Sequence, residues 1–332
     1  MTTALVLGAG GFIGHHLVWR LVAEGFYVRG VDVRYPAYSP TPAHDFVLAD
    51  LRDWAACARV MDAGGGRGFD EVYQLAADMG GADYVFSGDH DFAIVTNNTR
   101  INQNLALTCA RIVPGRIFFA SSACVYPRGC QNDPGAIDCR EDAAYPADPD
   151  SAYGWEKLFA ERMFAALAQE AGVPVRVGRY HNIMGPECAW NDGREKAPAA
   201  LCRKVARTPD GGTIELYGDG EQRRSFLDID EALEGTCRLM RSAVSEPLNI
   251  GSDEMVRIAD LAKMIAGAAG KRVRLALDPG KPTGVRARTS DNARIFDRLG
   301  WRPHRPLHEG LARLYPWVAE QVAVTDTAGR AA

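Results

Sequence analysis

A short apolar run, Leu5-Val6-Leu7, leads straight into a glycine series, Gly8, Gly11 and Gly14, and a helical stretch through Ala23. The next apolar run, Phe26 to Val31, ends on Asp32, 18 residues past Gly14. This strand–turn–helix–strand order constrains the fold more than any other feature of the chain. Gly8 permits the tight turn, Gly11 lets backbone approach a diphosphate, and Gly14 lets the helix pack on the strand. The helix N-terminus, with Phe12 and Ile13, then faces the phosphates. Asp32 is placed to accept hydrogen bonds from an adenosine ribose and to repel a 2′-phosphate, so NAD is expected over NADP, with Arg34 leaving some room for the latter.

The same rhythm continues. Phe46 to Leu51 reads as a strand whose end, Asp50-Leu51, suits an adenine-edge contact. A helix over Trp54–Met61 and a Gly64-Gly65-Gly66 turn follow. Glu71 to Ala77 is the next strand, and Ala76 and the flexible stretch from Asp78 to Gly81 lie where a cofactor or sugar would sit. Residues 82–96 lack clean periodicity and are expected as a loop or partly helical lid. A helix from Asn97 to Ile112 is expected, capped by Asn98 or Thr99. Arg116 to Ala123 is a buried strand, 126–150 a long loop, 152–172 a helix capped by Ser151, and Val175 to Arg179 a strand. Repeated β/α alternation predicts an α/β fold, a Rossmann-like doubly wound parallel sheet over residues 1–180. The shorter units of 181–324 predict a smaller α/β substrate-binding domain, although later segments can return to the sheet. Residues 325–332 read as a flexible tail.

Candidate chemistry centres on Ile117 to Lys157. Ser122, Tyr153 and Lys157 form a Ser…Tyr-x-x-x-Lys set, with Tyr153 and Lys157 on one helical face. Oxidising a secondary alcohol needs a base, and a phenol of pKa ~10 needs a nearby cation to serve. Lys157 supplies that cation, and the Ser122 hydroxyl orients the alcohol. Cys124, two residues on, is expected to point the same way as Ser122 on an extended strand. By itself a strand-end cysteine reads equally as a small buried hydrophobe, and Lys196, just before a helix start, equally as a solvated lysine. Together they suggest a proton-transfer pair, because oxidising a sugar alcohol to a ketone makes the neighbouring C–H bonds acidic. Basic clusters at Arg203-Lys204, Gln222-Arg223-Arg224 and Arg286/Arg288 suit a diphosphate, with surface charge as the alternative for each. Trp190 and Tyr217 are candidates for stacking on a base, or ordinary core.

Thirty-eight basic residues against 42 acidic ones, net charge −4, argue against a general nucleic-acid surface. No apolar run approaches the roughly 20 residues of a membrane span, and no signal-peptide pattern opens the chain, so a cytoplasmic protein is expected. The eight scattered cysteines include no C-x-x-C pair, which disfavours a metal cage or a disulfide framework.

The blocks GAGGFIG, AADMGG, ASSACVYP, AYGWEK, GRYHNIMGP, GREKAPAA, GDGEQRRSF and NIGSDEMV resemble the GDP-mannose 3,5-epimerases, NAD-dependent isomerases among the extended short-chain dehydrogenase/reductases. The resemblance covers roughly residues 4–322. It implies that Tyr153 with Lys157 drives transient oxidation at C4, and that Cys124 and Lys196 are the acid/base pair at C3 and C5. Gly80, Ser122, Asn182, Glu195, Ala197, Lys204, Gln222, Arg223, Arg224 and Arg288 match substrate-contacting positions. Asp32 and Asp50 match cofactor-contacting ones. A homodimer through the two long helices is also implied. The chain departs from the pattern at 82–96 and 131–144. Alternatives are an epimerase or dehydratase on another nucleotide sugar, or a non-catalytic NAD-binding regulator on the same scaffold.

Overall fold

The computed structural model describes residues 1–331 except Pro134, Ala136, Ile137, Pro282 and Thr283, with side chains as far as residue 327. Strands β1 (Thr3–Leu7), β2 (Tyr27–Asp32), β3 (Asp45–Leu48), β4 (Glu71–Gln74), β5 (Ile117–Ser122) and β6 (Val175–Tyr180) alternate with α1 (Phe12–Ala23), α2 (Trp54–Met61), α3 (Ala82–Phe86), α4 (Asp91–Cys109) and α5 (Ala152–Ala171). Beyond them lie β7 (Ile183–Met184), α6 (Ala197–Arg207), β8 (Thr213–Tyr217), β9 (Arg223–Ser225), β10 (Leu227–Asp228), α7 (Ile229–Arg241), β11 (Leu248–Ile250), β12 (Met255–Arg257) and α8 (Ile258–Ala268). The chain finishes with β13 (Arg274–Asp278), β14 (Ala287–Arg288), α9 (Ala293–Leu299) and α10 (Leu307–Ala331).

Seven parallel strands form the main sheet in the order β11-β6-β5-β4-β1-β2-β3. Ala4 to Leu7 of central β1 are fully buried, as expected where helices cover both faces. One apolar layer joins α1 and α7 through residues such as Leu17, Leu21, Leu233 and Met240. The opposite layer joins α2, α4 and α5 through Val60, Leu105 and Phe164. The boundary expected near residue 180 is therefore crossed: β11 pairs with β6, and α7 covers the sheet. A third apolar cluster, including Leu201, Ile265 and Leu314, joins α6, α8 and α10 over the smaller sheets.

One expectation needs correction. Helix α4 begins at Asp91, so Asn98 and Thr99 lie inside it and cap nothing. Its buried positions include Ile94, Asn98, Asn102 and Leu105, so asparagines on the inner face conceal the apolar period. Asn98 exchanges hydrogen bonds with the Asp78 backbone, and Asn102 joins Gln74 to Glu156. The run from Ser225 to Ile229 is divided among the end of β9, β10 and the start of α7. Residues 325–331 continue α10, with Thr325 and Thr327 hydroxyls donating to carbonyls four residues back. Among the described residues no helix is long and apolar enough to cross a membrane.

Candidate active site

The carboxyl ends of β1, β4, β5 and β6 converge where an open α/β sheet binds ligands. Gly8 has φ +88°, and a β-carbon there would stand 2.8 Å from the Ala76 nitrogen, so the turn after β1 requires glycine. Helix α1 starts at Gly11 with no side-chain cap and no acid in its first turn, leaving the Phe12 and Ile13 end open to an anion. Asp32 accepts from the Gly10 amide at 2.9 Å and the Arg34 amide at 3.2 Å, which fixes its carboxylate beside the turn. Burial pushes that carboxyl above its ordinary range, against these hydrogen bonds. An uncapped helix start, a glycine turn and an acid at the next strand end together fit an adenine dinucleotide. The Asp50 carboxylate pairs with Arg52 at 2.6 Å, and that contact holds it below the usual range. Leu51 is buried beside it.

A cavity of about 250 Å³ opens at the carboxyl ends of β5 and β6, lined there by Ser122 and Tyr180. Ser122, Cys124, Tyr153 and Lys196 all line it. Strand β5 stops at Ser122, and Cys124 rides on a single 3-10 turn, Ala123–Val125, rather than on the strand. The Ser122 hydroxyl accepts from the Cys124 amide at 3.2 Å and so starts that turn. Ser151 caps α5 by accepting from the Gly154 amide at 3.1 Å, which places Tyr153 and Lys157 in the first turns. The Lys157 ammonium donates to the Ala120 carbonyl at 3.0 Å and lies 5.7 Å from the Tyr153 ring centre. Burial raises the Tyr153 phenol, with the Cys124 and Glu156 charges acting in the same direction and a Ser122 hydrogen bond opposing. Burial lowers the Lys157 ammonium.

Lys196 is the N-cap of α6 and half-buried, and burial pulls its ammonium below the ordinary lysine value. Its neighbour Glu195 accepts from the Gly193 amide at 2.8 Å and pairs with Arg203 at 2.5 Å. Gly80, Asn182, Glu195, Ala197, Lys204, Gln222, Arg224 and Arg288 also line the cavity. Asn182 has φ 46° and donates to the Ser225 carbonyl at 3.0 Å.

Arg223 is not among the lining residues. It precedes Arg224 on β9, and alternate residues of a strand face opposite ways. Arg286 is bound to Asp219 at 2.8 Å, and is not a lining residue. Lys204 donates to the Glu215 carbonyl at 2.8 Å and lies 4.8 Å from the Tyr217 ring centre. Tyr217 lines the cavity, whereas Trp190 is buried in the apolar cluster under α6.

Sequence reasoning missed several residues that organise this cavity. The Asp78 carboxylate receives Asn97 at 2.8 Å, Tyr84 at 2.8 Å and Arg194 at 3.0 Å. Arg194 also donates to the Tyr84 hydroxyl at 2.9 Å and stacks 4.0 Å from that ring centre, tying α3 to the Lys196 loop. Asp150 and Gln131 bind Arg288, whose third nitrogen donates to the Cys124 sulfur at 3.2 Å. Nothing in residue spacing announces these long-range partners.

Residues 4–251 match the model of the NAD dependent epimerase/dehydratase family. The chain is 43% identical over 327 residues to GDP-mannose 3,5-epimerase 1 of Oryza sativa subsp. japonica, covering 98% of this chain and 83% of that protein. It is 43% identical over 320 residues to the GDP-mannose 3,5-epimerase of Arabidopsis thaliana, with 96% and 82% covered. The structure of UDP-glucose 4-epimerase from Thermotoga maritima with UDP-glucose superposes with a TM-score of 0.82 at 22% identity, covering 97% of this chain and all of that one (100%). The Thermus thermophilus UDP-glucose 4-epimerase complex with NAD gives 0.80 at 22% identity, with 96% and 99% covered. At that identity the two structures speak to the fold.

Proposed function

The chain belongs to the NAD-dependent epimerase/dehydratase family, and from that premise we propose that it is a redox-neutral epimerase converting GDP-mannose to GDP-L-galactose, with GDP-L-gulose after inversion at C5 alone. The observation that carries the reading is the joint placement of Cys124 and Lys196 on the cavity that also holds Ser122 and Tyr153. A 4-epimerase needs only the last two; inversion at C3 or C5 needs a proton removed and one returned. The identity to GDP-mannose 3,5-epimerases over nearly the whole chain supports the same substrate.

NAD, when bound at the glycine turn with Phe12, Ile13, Asp32 and Ala76 around it, supplies a reversible hydride acceptor. Tyr153 takes the C4 hydroxyl proton, with Lys157 favouring its phenolate and Ser122 orienting the alcohol. The C4 carbonyl so formed acidifies C3–H and C5–H. Cys124 as thiolate removes such a proton, and Lys196 as ammonium delivers one from the other side, inverting the carbon. Lys204, Gln222 and Arg224 bind the nucleotide diphosphate portion, within a substrate-binding part drawn from 181–324 apart from α7 and β11, which belong to the main sheet. Half-exposed Leu107 on α4 and Trp155 and Phe159 on α5 support a homodimer through these two helices. Eight free thiols and a net charge of −4 support a cytoplasmic protein with neither a membrane nor a nucleic-acid partner.

Incubation with GDP-mannose and NMR analysis of the sugars tests the proposal. GDP-L-galactose and GDP-L-gulose are expected without consumption of added NAD. Conversion of another nucleotide sugar with GDP-mannose untouched would overturn it.

A further inference from the structure

Oxidation and proton exchange occupy the end of the cavity beside β5, where Cys124, Tyr153 and Lys196 stand. Strand β8 lies apart from the main sheet, paired with β13, and contributes Glu215 and Tyr217 to the same cavity. Ile214 and Leu216 are buried, so Glu215 and Tyr217 share the other face of that strand. Asp83, in the first turn of α3, lines the cavity as well. A β-carbon at Gly81 would stand 2.2 Å from the Glu195 carbonyl oxygen, so the start of α3 is pressed onto the Lys196 loop and Asp83 is held in place. Asp83 and Glu215 both act on the Tyr217 phenol and on the Lys204 ammonium, which makes the four side chains neighbours. The Lys204 and Lys281 ammoniums lie 4.8 and 5.7 Å from the Tyr217 ring centre.

Two carboxylates are an odd lining for a site that takes a diphosphate, which they repel. Neither has an ion pair or a hydrogen bond among the described residues. What they call for is a ligand edge made of donors. Guanine presents N1–H and an exocyclic N2–H side by side, next to the O6 acceptor, and a carboxylate receives two such donors in a charge-assisted fork. Uracil sets O2 and O4 on either side of its one N3–H, and adenine sets the N1 acceptor beside its amino group. Both turn lone pairs toward the carboxylates. Gln222 adds a second call for a donor: it is buried, lines the cavity, and its Oε1 has no partner among the described residues. Phosphate oxygens cannot meet that need, whereas a ribose hydroxyl can.

We propose that Asp83 and Glu215 select the nucleobase: they receive the N1–H and N2–H edge of guanine beside Tyr217, with Lys204 and Lys281 facing its O6 side, and they turn away uracil and adenine nucleotides. This deepens the GDP-sugar reading and rests on it.

The test is binding of GDP, IDP and UDP to the full-length, NAD-loaded protein by isothermal titration calorimetry. IDP carries hypoxanthine, which is guanine without the 2-amino group. GDP is expected to bind about tenfold more tightly than IDP and at least about 100-fold more tightly than UDP. Removing two negative charges strengthens the binding of any diphosphate, so ratios and not affinities are the readout. In the double substitution Asp83→Asn with Glu215→Gln, the GDP-to-IDP ratio is expected to fall to within about twofold, and the preference over UDP to below about tenfold. Each single substitution is expected to lower the GDP-to-IDP ratio about threefold. Both positions are exposed, so folding is not at stake. A wild-type GDP-to-IDP ratio near one, or a wild-type ratio that persists in the double variant, overturns the proposal. Tighter binding of UDP than of GDP to the wild-type protein would overturn the GDP-sugar reading and this one with it. A preference for GDP that survives both substitutions leaves that reading standing and removes only the roles of Asp83 and Glu215.

Discussion

Gly154 lies so close to the carbonyl oxygen of Cys124 that a β-carbon at position 154 would stand 2.2 Å from it. This contact lets the first turn of α5, which carries Tyr153, pack directly on the turn that carries the thiol. Gly154→Ala is therefore expected to push the two apart, lowering kcat by more than tenfold and stability by about 1–3 kcal/mol. Helix propensity alone would favour alanine by about 1 kcal/mol. A higher melting temperature with wild-type kcat would show that the contact is slack.

Arg194 fastens α3 to the loop preceding Lys196 through Asp78 and Tyr84. The pair with Asp78 is partly exposed, so its stability contribution is small, ~0–1 kcal/mol. Its value is positional. Arg194→Ala is expected to leave the melting temperature nearly unchanged while raising KM for the sugar nucleotide about tenfold, measured by steady-state kinetics.

Lys196 must carry its proton in order to deliver it. Burial lowers its pKa, so activity is expected to fall as pH rises through a value below the ordinary lysine pKa of ~10.4. Lys196→Arg keeps the charge at all accessible pH and should lose this alkaline limb along with at least ~100-fold of turnover. A wild-type alkaline limb in that variant would assign the ionisation elsewhere.

His181 is fully buried, and burial pushes its pKa down to about 3. The Asn249 amide nitrogen already donates to the Cys139 and Asp291 carbonyls, so Asn249 Oδ1 accepts from His181 Nε2 at 2.9 Å. The unfolded chain binds this proton near pH 6.5 and the folded chain only near pH 3. The stability contribution is complete above pH 6.5 and is lost as pH falls toward 3, by up to about 1.4 kcal/mol per pH unit. Urea unfolding from about pH 7 to about pH 5 should show this slope, reduced by close to one proton in His181→Gln.

The sheet was legible because its strands are continuous apolar runs and its first turn is spelled by Gly8, Gly11 and Gly14. Ser122, Tyr153, Lys157, Cys124 and Lys196 were legible as types at suggestive spacings, and the fold brings Ser122, Tyr153, Cys124 and Lys196 to one cavity. What escaped depends on contacts between distant segments. Asn98 and Asn102 masked a helix face because their partners are Asp78, Gln74 and Glu156. Arg288 gives no sign in the sequence that Asp150 and Gln131 bind it. Arg223 and Arg224 look alike in sequence, and only strand alternation on β9 separates them.

In the proposed reaction Cys124 and Lys196 exchange protons at carbons flanking a transient ketone. Incubating the protein with GDP-mannose in deuterated water and locating the label by NMR tests it most directly. Deuterium is expected at C5 and C3 with wild-type protein, and at neither position with Cys124→Ala. Inversion without label, or label entering the Cys124→Ala reaction at the wild-type rate, would contradict the account.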